Sequence, residues 1–258
     1  IYNNVIILMV VFSSLSLYLF YIICVKFSIN PVYAWLIYFP YSFLLKDLAQ
    51  IRNAVASLLV VYALLALTKV RSLIIFCFAS IFFQKYAIAS SIALYKPKLV
   101  YKDYFWVVII GMFFIPSLSV AQLQGIPFIG FDLSRYINSD YVLGNSVAQK
   151  IKMLALSLFL SAFFIRTISG DVRLKALYFA YIGSYFYYCL FFNIPIISQR
   201  LGGYLSAVEP FLFSVLIESV SRRNSIVVYG VVVLLSVFYF TFNLYSRDFL
   251  QGLFFYGQ

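Results

Sequence analysis

The feature that most constrains this chain is a series of uncharged stretches, each about as long as a helix needs to cross a lipid bilayer. Crossing a hydrocarbon core of roughly 30 Å takes about 20 helical residues, and Val5 to Val25 meets that without a single charge. Phe27 to Leu45, Asn53 to Thr68, Tyr104 to Gln122, Met153 to Ile165, Ala176 to Asn193, Leu201 to Ile217 and Ser225 to Ser246 read the same way, and Glu209 alone interrupts one of them. None alternates strictly between apolar and polar residues, so helices are expected rather than a barrel. With 64% hydrophobic and 10% charged residues, the chain has too little polar surface to face water on all sides. The expected fold is all-α, a single polytopic transmembrane domain over residues 1–258 with about eight spans.

The chain starts at Ile1 with no basic segment before its first span, so the start reads as an internal point of a longer protein, with helices expected upstream. Cys24, Cys77 and Cys189 each sit in apolar sequence, where a thiol behaves as a small hydrophobe. There is no histidine. Neither a metal site nor a cofactor is expected.

Orientation follows from Lys and Arg, which concentrate in short cytoplasmic loops. Lys69 with Arg71, Lys96 with Lys98 and Lys102, Arg166 with Arg173 and Lys175, and Arg222 with Arg223 form four basic clusters. The first two flank one apolar stretch, Ser72 to Tyr95, which a single crossing would leave with a cluster on each side. Lys85 divides that stretch into arms of only about 20 Å and 15 Å. A lone lysine at mid-bilayer costs at least about 2.5 kcal/mol. A re-entrant hairpin with Gln84 and Lys85 at its tip removes both conflicts. All four clusters and Lys26 are then cytoplasmic, and the net charge of +11 partly reflects the anionic inner leaflet. No nucleic-acid partner is needed to explain it.

The remaining charges gather toward the external face. Arg52 stands in the first turns of a helix that Asp47 can cap, and Arg200 follows Pro195 and Ser198 and precedes Gly202 and Gly203, where a missing side chain lets a ligand approach backbone. Arginine's planar fork suits phosphate oxygens, so a phosphate or diphosphate is the simplest shared ligand. The external loop 122–149 carries Phe131-Asp-Leu-Ser-Arg-Tyr-Ile-Asn-Ser-Asp-Tyr141. Its tyrosines among Asp, Asn and Ser suit either carbohydrate or an aromatic interfacial belt.

Several short motifs resemble the EpsG/Wzy type of bacterial polysaccharide polymerases. They are Ile51-Arg-Asn-Ala-Val-Ala-Ser57, Lys69-Val-Arg71, Phe82-Phe-Gln-Lys-Tyr-Ala-Ile88, Leu133-Ser-Arg-Tyr-Ile137 and Ile197-Ser-Gln-Arg-Leu-Gly-Gly-Tyr204, in family order from about Ser42 to Ser219. Where the family usually has Phe-His, this chain has Phe83-Gln84 followed by Lys85. The resemblance implies a GT-C-like glycosyltransferase of the inner membrane with its active site facing the periplasm. Its partners would be undecaprenyl-diphosphate-linked oligosaccharide, membrane lipids and a chain-length regulator. Arg52, Arg200, Lys85 and Arg135 are the diphosphate candidates, and Tyr136, Tyr204, Asn53 and Gln84 the sugar candidates. Without histidine, the acceptor's proton falls to a carboxylate, Asp140 or Glu209, or to a diffuse arrangement of groups. Glu209 precedes Pro210 and can equally be a kink residue bonded to neighbouring helices. An O-antigen ligase, a flippase for the same lipid-linked sugar and a structural export subunit are the competing readings.

Overall fold

A computed structural model of the chain describes residues 2–41, 43, 51–66, 69–83, 85–94, 105–119, 147–163, 167 and 170–245. Among these residues the fold is helical, with no strand. In chain order the elements are α1 (Tyr2–Lys26), α2 (Pro31–Tyr38), α3 (Ile51–Leu65), α4 (Lys69–Phe82), a 3-10 helix (Lys85–Leu94), α5 (Phe105–Phe113), α6 (Val147–Ala162), α7 (Val172–Leu190), α8 (Pro195–Ser206), α9 (Glu209–Ser219) and α10 (Arg222–Tyr245).

Three described segments are long and apolar enough to cross a membrane: Ile7–Lys26, Ile197–Ser219 and Arg222–Thr241. They occupy different layers. The α8–α9 segment has 89% of its most apolar stretch buried within the protein, whereas the corresponding stretches of α1 and α10 are 22% buried. A helix apolar all round and buried is a core helix, and one whose apolar side chains stay exposed requires lipid as solvent. Val10, Val11, Tyr18 and Tyr21 on α1 and Ile226, Leu234 and Val237 on α10 are exposed in this way. The chain is therefore a helical membrane protein.

Several expected spans take other forms. In Phe27 to Leu45, α1 stops at Lys26, residues 27–30 form a corner, and the helix starts only at Pro31, with α2 passing into a π-helical turn at residues 39–41; Ser42, Leu44 and Leu45 lie outside the described residues. Tyr104 to Gln122 yields α5, which ends at Phe113 before Pro116, a residue without the N–H a continuing helix needs. Leu201 to Ile217 lies within the candidate span Ile197–Ser219 but kinks at Ala207 and Val208, because Pro210 in the first turn of α9 lacks an N–H to pair with Ser206. The apolar run from Ser72 to Tyr95 does divide. α4 ends at Phe82, the 3-10 helix starts at Lys85, and the two arms pack against each other.

The core gathers on α7, which packs against α3, α5, α6, α8, α9 and the 3-10 helix. Tyr178, Tyr181 and Tyr185 on this helix are fully buried, as are Tyr38 and Tyr204. Tyr178 and Ser161 share a hydroxyl–hydroxyl bond of 2.7 Å. Gly202 lets α8 approach α7 closely: a Cβ there would lie 3.3 Å from the Ser184 carbonyl, and the Ser184 hydroxyl donates to the Gly202 carbonyl at 2.8 Å. The missing side chain expected to admit a ligand thus serves helix packing.

One end of the bundle is fastened by Arg173. Asp171 caps α7, accepting from the Arg173 and Leu174 N–H groups, and its carboxylate also takes the Arg173 guanidinium at 2.8 Å. That guanidinium donates to the Phe27 and Ser28 carbonyls at 2.7 Å and 3.2 Å. The corner it holds contains Ser28 at φ 52°, in the left-handed region that costs a non-glycine residue about 1–2 kcal/mol. Ser214 on α9 ties the same corner by donating to the Asn30 carbonyl at 2.8 Å. Burial raises the Asp171 pKa, but the Arg173 hydrogen bonds and charge outweigh it and hold the carboxyl below its ordinary value. Because the folded value is depressed, its stabilisation is present at neutral pH and is lost as pH falls below the ordinary carboxylate range and through the folded value. Thermal unfolding in detergent from pH 7 to pH 3 is expected to show this component in the native chain and not in Asp171→Asn. Arg173→Met, which strips charge-assisted bonds from the corner, is expected to cost about 2 kcal/mol.

Candidate functional site

The basic residues sort to opposite ends of the helices. Lys26 donates to the Tyr62 hydroxyl near the end of α3, and Arg173 at the start of α7 reaches the Phe27 carbonyl, so these groups share one end. Arg52 opens α3 and is therefore about 15 Å along the helix from Tyr62. The turn from α7 into α8 lies about 25 Å along α7 from Arg173. Arg200 follows that turn, half-buried on α8, and α8 packs against α3. Arg52 is exposed and Asn53 beside it half-buried. The helices carrying Arg52 and Arg200 are thus neighbours, with both arginines set away from the Lys26–Arg173 end. α8 begins with Pro195 and has no side-chain cap at Ile194, so its N-terminal dipole is not answered by a capping residue.

Lys150 joins this end. Its ammonium lies 4.6 Å from the centre of the Phe113 ring and 5.0 Å from that of Phe192, bringing the end of α5 and the α7–α8 turn together over the start of α6. The Leu118 N–H donates to the Leu190 carbonyl at 2.8 Å in the same region.

Beneath it lies a buried polar cluster. Glu209, with no exposed surface, accepts from the Tyr239 hydroxyl at 2.5 Å and stands 3.7 Å from the Lys152 ammonium. Lys152 in turn donates to the Tyr239 hydroxyl at 2.5 Å. The Tyr41 ring lies 4.6 Å from the Tyr239 ring, centre to centre, and its hydroxyl is 2.7 Å from that of Ser206. The cluster therefore joins α6, α8, α9, α10 and the turn after α2. It explains the kink. Glu209 at the first turn of α9 is anchored to α6 and α10 where the helix ladder is interrupted.

Of the two readings that Glu209-Pro210 leaves open in sequence, the geometry is that of a residue bonded to neighbouring helices: Glu209 begins a helix separate from that of Arg200 and has no exposed surface. Tyr204 likewise has no exposed surface for a sugar. Lys85 opens the 3-10 helix. Asp47, Gln84, Arg135, Tyr136 and Asp140 lie outside the described residues, as does most of loop 122–149. Among the described residues, no three potential metal-ligating side chains come together.

Lys150 and Lys152 escaped the sequence reading because they follow the long loop directly and look like its border. A signal was available for Lys152. Glu209 is a lone carboxylate in an apolar span, and an intramembrane charge requires a partner from another helix.

The described residues thus form a helical membrane protein whose basic residues lie toward two separate ends. The EpsG family matches the chain over residues 1–256, and the chain belongs to that family, the family of Wzy-type polysaccharide polymerases. No curated protein and no solved structure matches it.

Breaking one partner of a buried pair leaves an uncompensated charge, at about 3–5 kcal/mol, whereas removing both is far milder. Lys152→Met alone is therefore expected to lower the thermal unfolding midpoint more than the double variant Lys152→Met/Glu209→Gln. Additive losses in a double-mutant cycle would show that the pair is not coupled.

Proposed function

We propose that the chain transfers a growing glycan from undecaprenyl diphosphate to the non-reducing sugar of a lipid-linked repeat unit, at the periplasmic face of the bacterial inner membrane. The observation that carries this reading is the pair Arg52 and Arg200 on neighbouring helices, at the end of the bundle away from Lys26 and Arg173. Family membership supplies the reaction class. In the described residues the positive-inside pattern supports the orientation, since Lys26, Arg71 and Arg173 gather at one end.

Glycosyl transfer cleaves the anomeric C–O bond, and negative charge builds on the departing diphosphate. Fixed cations aimed at those oxygens lower the barrier because they need no reorganisation as the charge develops. Arg52 and Arg200 are the proposed groups for that role, with Arg135 and Lys85 as further proposed diphosphate ligands. The acceptor hydroxyl surrenders its proton as the new bond forms. Asp140 is the proposed base, since Glu209 is already committed to Tyr239 and Lys152. Asn53, next to Arg52, and Gln84 and Tyr136 are the proposed contacts to sugar hydroxyls, and a chain-length regulator would act from outside this machinery.

Purified protein supplied with lipid-linked repeat units tests the proposal, read as a ladder of products on a gel. Arg52→Ala and Arg200→Ala are each expected to slow chain growth by about 10²–10³-fold, the usual loss for one such donor, while the protein remains in the membrane. Asp140→Asn is expected to do the same with a changed pH profile. A native ladder from both arginine variants would refute the diphosphate assignment. Translocation of the substrate without chain growth would make the protein a flippase instead.

A further inference from the structure

A cavity of about 450 Å³ opens at the end of the bundle remote from Arg52 and Arg200. Lys26 and Phe27 from the end of α1, Tyr62 and Leu65 from the end of α3, and Arg71 and Ile74 from the start of α4 border it. Its size falls within the roughly 300–1,000 Å³ of small-ligand sites. Two features give it a chemical preference. First, its lining among the described residues contains two cations and no carboxylate. Among the described residues, neither Lys26 nor Arg71 has an ion-pair partner, whereas nearby Arg173 is neutralised by Asp171. Second, Lys26 is held in place. Its ammonium donates to the Tyr62 hydroxyl and lies 4.6 Å from the Tyr62 ring centre and 5.9 Å from that of Phe27. A long, flexible cation fixed by an aromatic pair pays less entropy on meeting an anion.

The walls specify the rest of the ligand. Leu65, Ala66, Ile74 and Ile75 are apolar. The outer face of α4 continues from them with Val70, Leu73 and Ile74 exposed. An anion at Lys26 and Arg71 thus has an open apolar track running away from it, a layout matched by a phosphate headgroup with an acyl chain. Basic pockets between transmembrane helices bind anionic headgroups on these terms.

We infer that the cavity between α1, α3 and α4 is a binding site for an anionic glycerophospholipid, its phosphate held by Lys26 and Arg71 and its acyl chain laid along α4. Such a lipid fills the gap between α4, the first arm of the hairpin, and the α1–α3 pair. It braces the hairpin from the face opposite the proposed reaction. The inference does not depend on the polymerase chemistry.

The test uses the purified chain in a neutral detergent, with the thermal unfolding midpoint followed during titration with phosphatidylglycerol, phosphatidylcholine or inorganic phosphate. Phosphatidylglycerol is expected to raise the midpoint saturably, and phosphatidylcholine and inorganic phosphate at equal concentration to leave it unchanged. Lys26→Gln/Arg71→Gln is expected to require about thirty-fold more phosphatidylglycerol, the equivalent of two interfacial charges. Arg222→Gln/Arg223→Gln, which removes the same charge outside the cavity, is expected to respond as the native chain does. Should the first double variant fail to fold, Ile75→Trp fills the cavity with both cations retained and is expected to abolish the response. An unchanged response in the cavity variants, an equal response to phosphatidylcholine, or an equal response to phosphate alone would overturn the inference.

Discussion

Burying an ion pair inside a membrane protein is a constraint that other elements must accommodate, and here the Lys152–Glu209 pair sets the arrangement of the central helices. Neither charge can be left in an apolar interior alone. Glu209 can meet Lys152 and Tyr239 only if α9 departs from the line of α8, and the missing N–H of Pro210 makes that departure inexpensive. The resulting kink places Ser206 against Tyr41, so the turn after α2 is drawn to the same point. One charge pair and one proline thus coordinate elements far apart in sequence.

Around that centre the molecule divides its basic residues by task. Arg173 is consumed by structure, since its guanidinium neutralises Asp171 and holds a corner that includes a left-handed serine. Lys152 is consumed likewise. Arg52 stays exposed and Arg200 half-buried, both at the end of the bundle away from Arg173. Lys26 and Arg71 border a cavity at the other end. A positive charge near a membrane surface can therefore be a topological signal, a structural bolt or a ligand group, and the distinction lies in whether a carboxylate or carbonyl already occupies it.

The helical membrane class, the division of the Ser72–Tyr95 stretch and the family were all legible in sequence, because each depends on local properties: length of uncharged runs, position of a lone lysine, and short motifs in order. Gly202 shows where such reading ends. A glycine after Arg200 is compatible with an approaching ligand or an approaching helix, and only the position of Ser184 on α7 selects the helix. The tyrosines make the same point. Tyr204 follows Arg200 by four residues as the family pattern requires, yet it faces the core, as do Tyr178, Tyr181 and Tyr185.

By itself, then, the sequence determined that this chain folds as helices in lipid and belongs among the polysaccharide polymerases, since hydropathy and short-range motifs are properties of contiguous residues. The tertiary structure decided which charges remain available. Glu209 meets a lysine 57 residues before it and a tyrosine 30 residues after it, and its anchoring of three helices arises from that long-range encounter, for which no contiguous pattern exists.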